Sequence, residues 1–317
     1  LIEKGYKVLH AIFRFAFVAT PINAVGISAV HTIFNVFTTA LLCPFTKQLE
    51  RFANFVIRPS KKEETYAFLD ERLLGTPSIA VGEASDMTVK MATLARTTIL
   101  SAISICQSYD VKVADEILKH EDELDLYEDK LGTFLVKLSS RSLSIADSRK
   151  VSNMLHTIGD FERLGDHAVN LRKTAEEIHD KHIVFSEDAA AELQNLTNAL
   201  TEILELTIDA FREHNLEMAR HVEPLEQVID CLISAAKSTH VERLQSGKCT
   251  IQNGFVLNDL LTNYERVSDH CSNIAVSLIE TSAGSFDTHE YLTEVKEGGS
   301  KDYTDLYHAY TKKYALQ

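Results

Sequence analysis

The sequence predicts an all-α protein in which a transmembrane helix segment is followed by two tandem antiparallel three-helix bundles. Three observations predict it. From Phe15 to Thr46, about 32 residues, there is no Asp, Glu, Lys or Arg, although 25% of the chain is charged. Apolar residues then recur at helical spacing from about residue 86 to about 282, with no strand-like alternation. Finally, a string from the first half of that region returns in the second half.

The charge-free stretch comes first. A soluble helix needs a charged face, and a membrane-spanning helix needs about 20 apolar residues. Residues 24–44 supply such a run, expected as the last transmembrane helix of a membrane part covering 1–46. Pro21 separates it from an earlier apolar stretch, Val8 to Thr20, broken by Arg14, which reads as the end of a preceding membrane helix or a re-entrant piece. Lys47, Arg51, Arg58, Lys61 and Lys62 follow the span, so the positive-inside rule places its C-terminal side in the cytoplasm. His31 and Asn35 lie four apart inside the span. Polar groups at that depth are costly, and the expected role is an interhelical hydrogen bond.

A linker is expected over 47–85, then one set of helices at about 86–110, 112–140 and 147–181 within 86–183. A second set, at about 186–214, 216–246 and 251–282, fills 184–282. Asp147 and Ser186 are the expected N-caps. Short links between three long helices imply antiparallel bundles. In the tail, 283–317, Tyr303, Leu306, Tyr307, Tyr310 and Tyr314 form one stripe of a short helix that docks on the bundle or a partner.

Composition narrows the function. The net charge of −14 excludes a broadly basic nucleic-acid binder. Cys43, Cys106, Cys231, Cys249 and Cys271 form no CxxC pair, which fits a reducing compartment rather than a disulfide framework or a thiolate zinc site. No phosphate-cradling glycine loop, GxSxG or HExxH occurs, so no enzymatic activity is expected.

The repeat carries the chemistry. Residues 160–171 read DFERLGDHAVNL and residues 263–274 read NYERVSDHCSNI, a displacement of 103. Glu162, Asp166 and Asn170 recur as Glu265, Asp269 and Asn273, each trio spaced by four and so on one helix face. The preceding helices carry Glu121 with Asp125 and Glu226 with Asp230. Like charges at i and i+4 repel by about 0.2–0.5 kcal/mol, and a bound cation reverses that sign. Carboxylates from two facing helices suit hard cations. His167 and His270 point away from the adjacent aspartates and are expected beside the ligands rather than among them, and Arg163 and Arg266 are expected to pair with neighbouring carboxylates.

These residues, in this order, resemble the PhoU domain family, whose helices carry E(D)xxxD motifs in two tandem three-helix repeats. The resemblance covers about 86–282 and rests on Glu162-Arg163-Leu164-Gly165-Asp166-His167 and Glu265-Arg266-Val267-Ser268-Asp269-His270. It implies metal clusters of iron, Mn or Mg on the acidic faces, with Glu121, Asp125, Glu162, Asp166, Glu226, Asp230, Glu265 and Asp269 as ligands, and a part in controlling phosphate uptake. The stretch AVHTIFN at residues 29–35 and the apolar run after it are similar to the last spanning helix of bacterial type II Na⁺/phosphate cotransporters, many of which carry a PhoU-like domain behind the membrane domain. No QSS string of that family occurs; Gln107-Ser108-Tyr109 lies in the helical part, and the missing motifs would precede Leu1.

The resemblances imply the C-terminal region of a sodium-dependent phosphate symporter. Its cytoplasmic regulatory bundle would sit at a bacterial inner membrane. Sodium and inorganic phosphate would be handled by an N-terminal membrane domain, with the lipid bilayer and a regulatory protein as further partners. The alternative is a membrane-tethered PhoU-like regulator with no transport activity of its own.

Overall fold

A computed structural model describes residues 24–43, 69–283 and 301–315. The chain divides into two units, Leu1–Tyr66 and Ala67–Gln317. The apolar stretch before Pro21, the basic residues Lys47 to Lys62 and the tail glycines lie outside the described residues.

In the first unit, α1 (Ala24–Leu42) fills the expected span. Its described apolar side chains are open to the surroundings, Ile33 at 69%, Phe34 at 64% and Phe37 at 66% exposed. Asn35 Nδ2 lies 3.1 Å from His31 Nδ1. The two side chains thus meet within one helix through one atom each, a contact the sequence reading did not name.

The described elements of the second unit are all helices. A 3₁₀ turn, Glu71–Gly75, capped by the Asp70 carboxylate, leads into α2 (Pro77–Gln107). Then follow α3 (Val111–Ser139), α4 (Ile145–Asp180), α5 (Glu187–Glu213), the single turn α6 (Leu216–Ala219), α7 (Val222–Gln245), α8 (Ile251–Ala283) and α9 (Lys301–Lys313). Among the described residues α2 is the helix long and apolar enough to cross a membrane; the apolar run of α1, His31–Leu42, counts as shorter. Yet Ala84, Met91, Ala95, Ile99 and Ala102 of α2 are all fully buried against protein, so α2 is a core helix.

Three boundaries differ from expectation for local reasons. α2 starts nine residues before residue 86, because Pro77 sits at its first position, where the missing N–H is no loss, and Ala80, Val81 and Ala84 are buried. α4 is capped by Ser144, not Asp147; Ser144 Oγ accepts the Asp147 N–H at 3.1 Å and donates to its carboxylate at 2.8 Å, a reciprocal cap. The predicted helix 216–246 is split into α6 and α7. Pro224 brings no N–H to its first turn, and its ring would clash with the carbonyl four residues earlier in a continuous helix. Ser186 does cap α5, as expected.

Helices α2–α4 form the first repeat and α5–α8 the second, and both share one continuous hydrophobic core. Phe161 of α4 meets Phe211 of α5 edge-on at 5.0 Å between ring centres. The repeats join along α4 and α8, which run antiparallel with a polar ladder. Asn153 donates to Ser277 at 3.2 Å, His270 lies 2.8 Å from Asp160, and His167 lies 3.0 Å from Asn263. Each rung is seven residues up α4 and seven down α8, so the spacing follows the heptad of an antiparallel coiled-coil seam. Polar groups at such positions fix register, because any slip leaves them buried and unbonded. α9 docks on the second repeat through Tyr310 Oη to His221 Nδ1 at 3.2 Å and Asn195 Nδ2 to the Tyr314 carbonyl at 2.7 Å.

Candidate metal centre

The acidic stripes are brought together by helix pairs, α3 with α4 and α7 with α8. In α3–α4 the small residue of the repeated motif permits the approach. A Cβ added at Gly165 would lie 2.8 Å from Leu124 Cδ1 and 3.8 Å from Glu121 Cγ. The matching residue in the second repeat, Ser268, is fully buried and turns its hydroxyl back to the Glu265 carbonyl at 2.8 Å. A larger residue at Gly165 would press on Leu124 of α3, beside Glu121.

In the second repeat Glu226 and Asp230 of α7 and Asp269 of α8 offer oxygens all within 4.8 Å of one another. Glu226 is buried, only 6% exposed. Three convergent carboxylates form an all-oxygen donor set, which fits a hard cation such as Mg²⁺, Mn²⁺ or ferric iron and not a thiolate-seeking one. Glu265, the other sequence candidate on α8, lies one turn before Asp269 on the same helix, outside the compact trio, and pairs across to Lys237 of α7 at 2.9 Å.

The first repeat gathers Glu121, Asp125, Glu162 and Asp166 more loosely. Burial raises the Glu121 pKa, and the carboxylates of Asp125, Asp122 and Asp166 raise it further. Burial and then Asp166 likewise raise Asp125. Glu162 is raised by burial, then by Asp166, against a lowering by Arg163. Glu121, Asp125 and Glu162 thus all feel the Asp166 carboxylate, but among the described residues the compact trio is that of the second repeat.

The arginines do what their position implied. Arg163 binds Asp166 at 2.6 Å and Arg266 binds Asp269 at 3.1 Å, each one turn away on its own helix. These pairs orient the aspartates and offset part of their repulsion. His167 and His270 stand on the α4–α8 seam, their rings facing each other at 5.5 Å, each held by the residue that opens the other copy of the repeated string. Burial lowers the His167 pKa, partly opposed by its bond to Asn263. Asp160 and Asn263 were not singled out from sequence. The signal was their heptad spacing from Asn153, His167, His270 and Ser277.

The geometry agrees with a family relationship. The PhoU domain model matches residues 88–175 and 193–278, one match per repeat, leaving α1 and α9 outside. A protein named phosphate-specific transport system accessory protein PhoU homolog, from Clostridium acetobutylicum, is 23% identical over 194 residues, 60% of this chain and 87% of its own length. The PhoU homolog 1 of Thermotoga maritima is 22% identical over 210 residues, 66% of this chain and 89% of its own. Crystal structures of PhoU from Pseudomonas aeruginosa and of the phosphate transport system regulatory protein PhoU from Streptococcus pneumoniae both superpose with a TM-score of 0.60. At 20% and 18% identity they cover 64% and 67% of this chain and 97% and 99% of their own. With the domain model matched twice across more than half its length, this chain belongs to the PhoU domain family.

Proposed function

We infer that this chain is a membrane-tethered PhoU-type regulator of phosphate uptake, acting by binding rather than by covalent chemistry and without transport activity of its own. The observation that carries the reading is the family match across both repeats. The names of the relatives, phosphate-specific transport system accessory proteins, point the same way and speak against the symporter expected first from the sequence.

The bundle is the regulatory body. Glu226, Asp230 and Asp269 hold a hard cation, as do Glu121, Asp125, Glu162 and Asp166 in the first repeat. The cation supplies positive charge at a point where the fold concentrates negative charge. Its release or capture changes how tightly α3 is held to α4 and α7 to α8, and so the surface a partner meets. The tether is α1, whose 19 residues at about 1.5 Å each reach close to the roughly 30 Å hydrocarbon thickness of a bilayer. Its exposed Ile33, Phe34, Val36 and Phe37 need an apolar cover.

The test combines fractionation with uptake. The full chain should sediment with membranes, and deleting residues 24–43 should release a folded bundle. Loss of the protein should alter labelled-phosphate uptake by the host's transporter. A chain that is soluble with α1 intact, or uptake indifferent to its loss, overturns the reading. One observation keeps the symporter in view: a helix without charged residues precedes the bundle in the order seen in type II cotransporters. Two in-frame blocks of membrane helices with QSS motifs upstream of Leu1 would decide for it.

A further inference from the structure

We propose that a basic cleft where the two repeats meet, distinct from the acidic stripes, binds the phosphoryl group of a small organic phosphate. The cleft, a cavity of about 270 Å³, lies between α2, the start of α4, the end of α5 and the end of α8. Arg149, Lys150, His214, Ser85 and Thr281 line it, and no carboxylate does, in a chain with 46 acidic residues. Arg163, Arg172, Arg212, Arg220, Arg243 and Arg266 each hold a carboxylate. Arg149 and Lys150 hold none among the described residues.

The cleft is built, not merely left over. Asn153 is 5% exposed in its wall, fixed by its bond to Ser277. His214 ends α5 in the left-handed region at φ 50°, a conformation that non-glycine residues adopt sparingly, and this brings its ring to the cleft. Burial and then the nearby Lys150 ammonium lower the His214 pKa, which places the two cationic-type side chains in one field.

The repeat supplies an internal comparison. At the displacement of 103, Arg149 and Lys150 correspond to Gln252 and Asn253, and Ser282 corresponds to His179. Aligning the N-caps Asp110 and Asn215 matches His214 with Tyr109. At that second junction Tyr109 and His179 stack at 4.9 Å, and Asn253 is spent on the Val184 carbonyl at 2.8 Å. One junction therefore has stacked rings and neutral Gln252 and Asn253 at the matched positions, while the other is open and carries Arg149 and Lys150. The fold does not require a basic cleft: of the two matched junctions, among the described residues, it is this one that carries Arg149 and Lys150.

The donors select the ligand class. Two adjacent cations suit a dianion, and guanidinium with hydroxyl and amide donors suits tetrahedral phosphoryl oxygens. The remaining wall, Met154, Phe211 and Leu278, is apolar and gives an organic group something to bury against. This favours a phosphomonoester over free phosphate.

The experiment titrates the full chain in detergent micelles, stripped with EDTA, with phenyl phosphate and with inorganic phosphate by calorimetry. Phenyl phosphate should bind saturably, and more tightly than inorganic phosphate. The Arg149→Ala/Lys150→Ala variant, both positions exposed, should keep its circular dichroism melt and lose at least tenfold in affinity. The Glu226→Gln/Asp269→Asn variant should bind as wild type, which separates this cleft from the metal centre. Absence of saturable binding, or equal affinity in the Arg149/Lys150 variant, overturns the proposal. Inorganic phosphate binding as tightly as phenyl phosphate overturns the organic-ester assignment and gives the cleft to free phosphate.

Discussion

Asp269→Asn should make the metal-free protein more stable and the metal-loaded protein less stable than wild type. The sign follows from the trio's geometry. Asp269 faces Glu226 and Asp230 with ligand oxygens within 4.8 Å. At an effective permittivity near 20, each like-charge pair at that distance opposes folding by about 3.5 kcal/mol. Two pairs give about 7 kcal/mol gross, but the Asp269 side chain is 34% exposed and bonded to Arg266, so solvent and that arginine remove most of it. A net gain of about 1 kcal/mol is expected in EDTA. Metal reverses the order: a cation at one hundred times its dissociation constant adds about 2.7 kcal/mol to wild type. The variant, one ligand short, should receive much less. The assay is urea denaturation followed by far-ultraviolet circular dichroism, in EDTA and in saturating Mn²⁺. Equal destabilisation of the variant in both conditions would refute the reasoning and make Asp269 a structural partner of Arg266 alone.

Other consequences follow from the same contacts. Because Glu121, Asp125 and Glu162 have raised pKa values, the fold binds protons more readily than the unfolded chain; in EDTA, stability contributed by these groups should therefore rise as pH falls from 7 towards their ordinary range, and Glu121→Gln/Glu162→Gln should flatten that slope in urea melts. Gly165→Val places side-chain atoms inside contact distance of Leu124 and should destabilise by about 1–3 kcal/mol, weakening cation binding in the first repeat while leaving the Glu226–Asp230–Asp269 trio intact, as calorimetric titration of the two stoichiometric sites would separate. Asp160→Ala removes the acceptor shared by His270 and Asn273 and should lower stability by about 1–3 kcal/mol in denaturant melts, more than Asp259→Ala at an exposed position of α8.

Much of the architecture was legible along the chain, because local patterns encode it directly. Six long amphipathic helices, their two matched sets and the capping Ser186 were read from apolar period, recurrence and side-chain chemistry. The pairing of Arg163 with Asp166 and of Arg266 with Asp269 was legible too, since three residues on a helix is contact distance. The Ser144 cap was not read, because Asp147 three residues on carries an equally good capping group. The α6–α7 break had its cause, Pro224, in plain view, but proline near a helix start also reads as acceptable.

What the sequence determined by itself, then, was the set of helices, their doubling and the residues on each acidic face, since these depend on spacing within one segment. Which faces meet was decided only in three dimensions. Composition could not tell the buried α2 from a bilayer helix, because apolar side chains carry no label for what will cover them. Nor could it tell that Asp269 would join Glu226 and Asp230 while Glu265 turned to Lys237, or that His167 would meet Asn263 and His270 would meet Asp160. Those choices belong to the approach and register of separate helices, which packing sets through residues as small as Gly165 and Ser268.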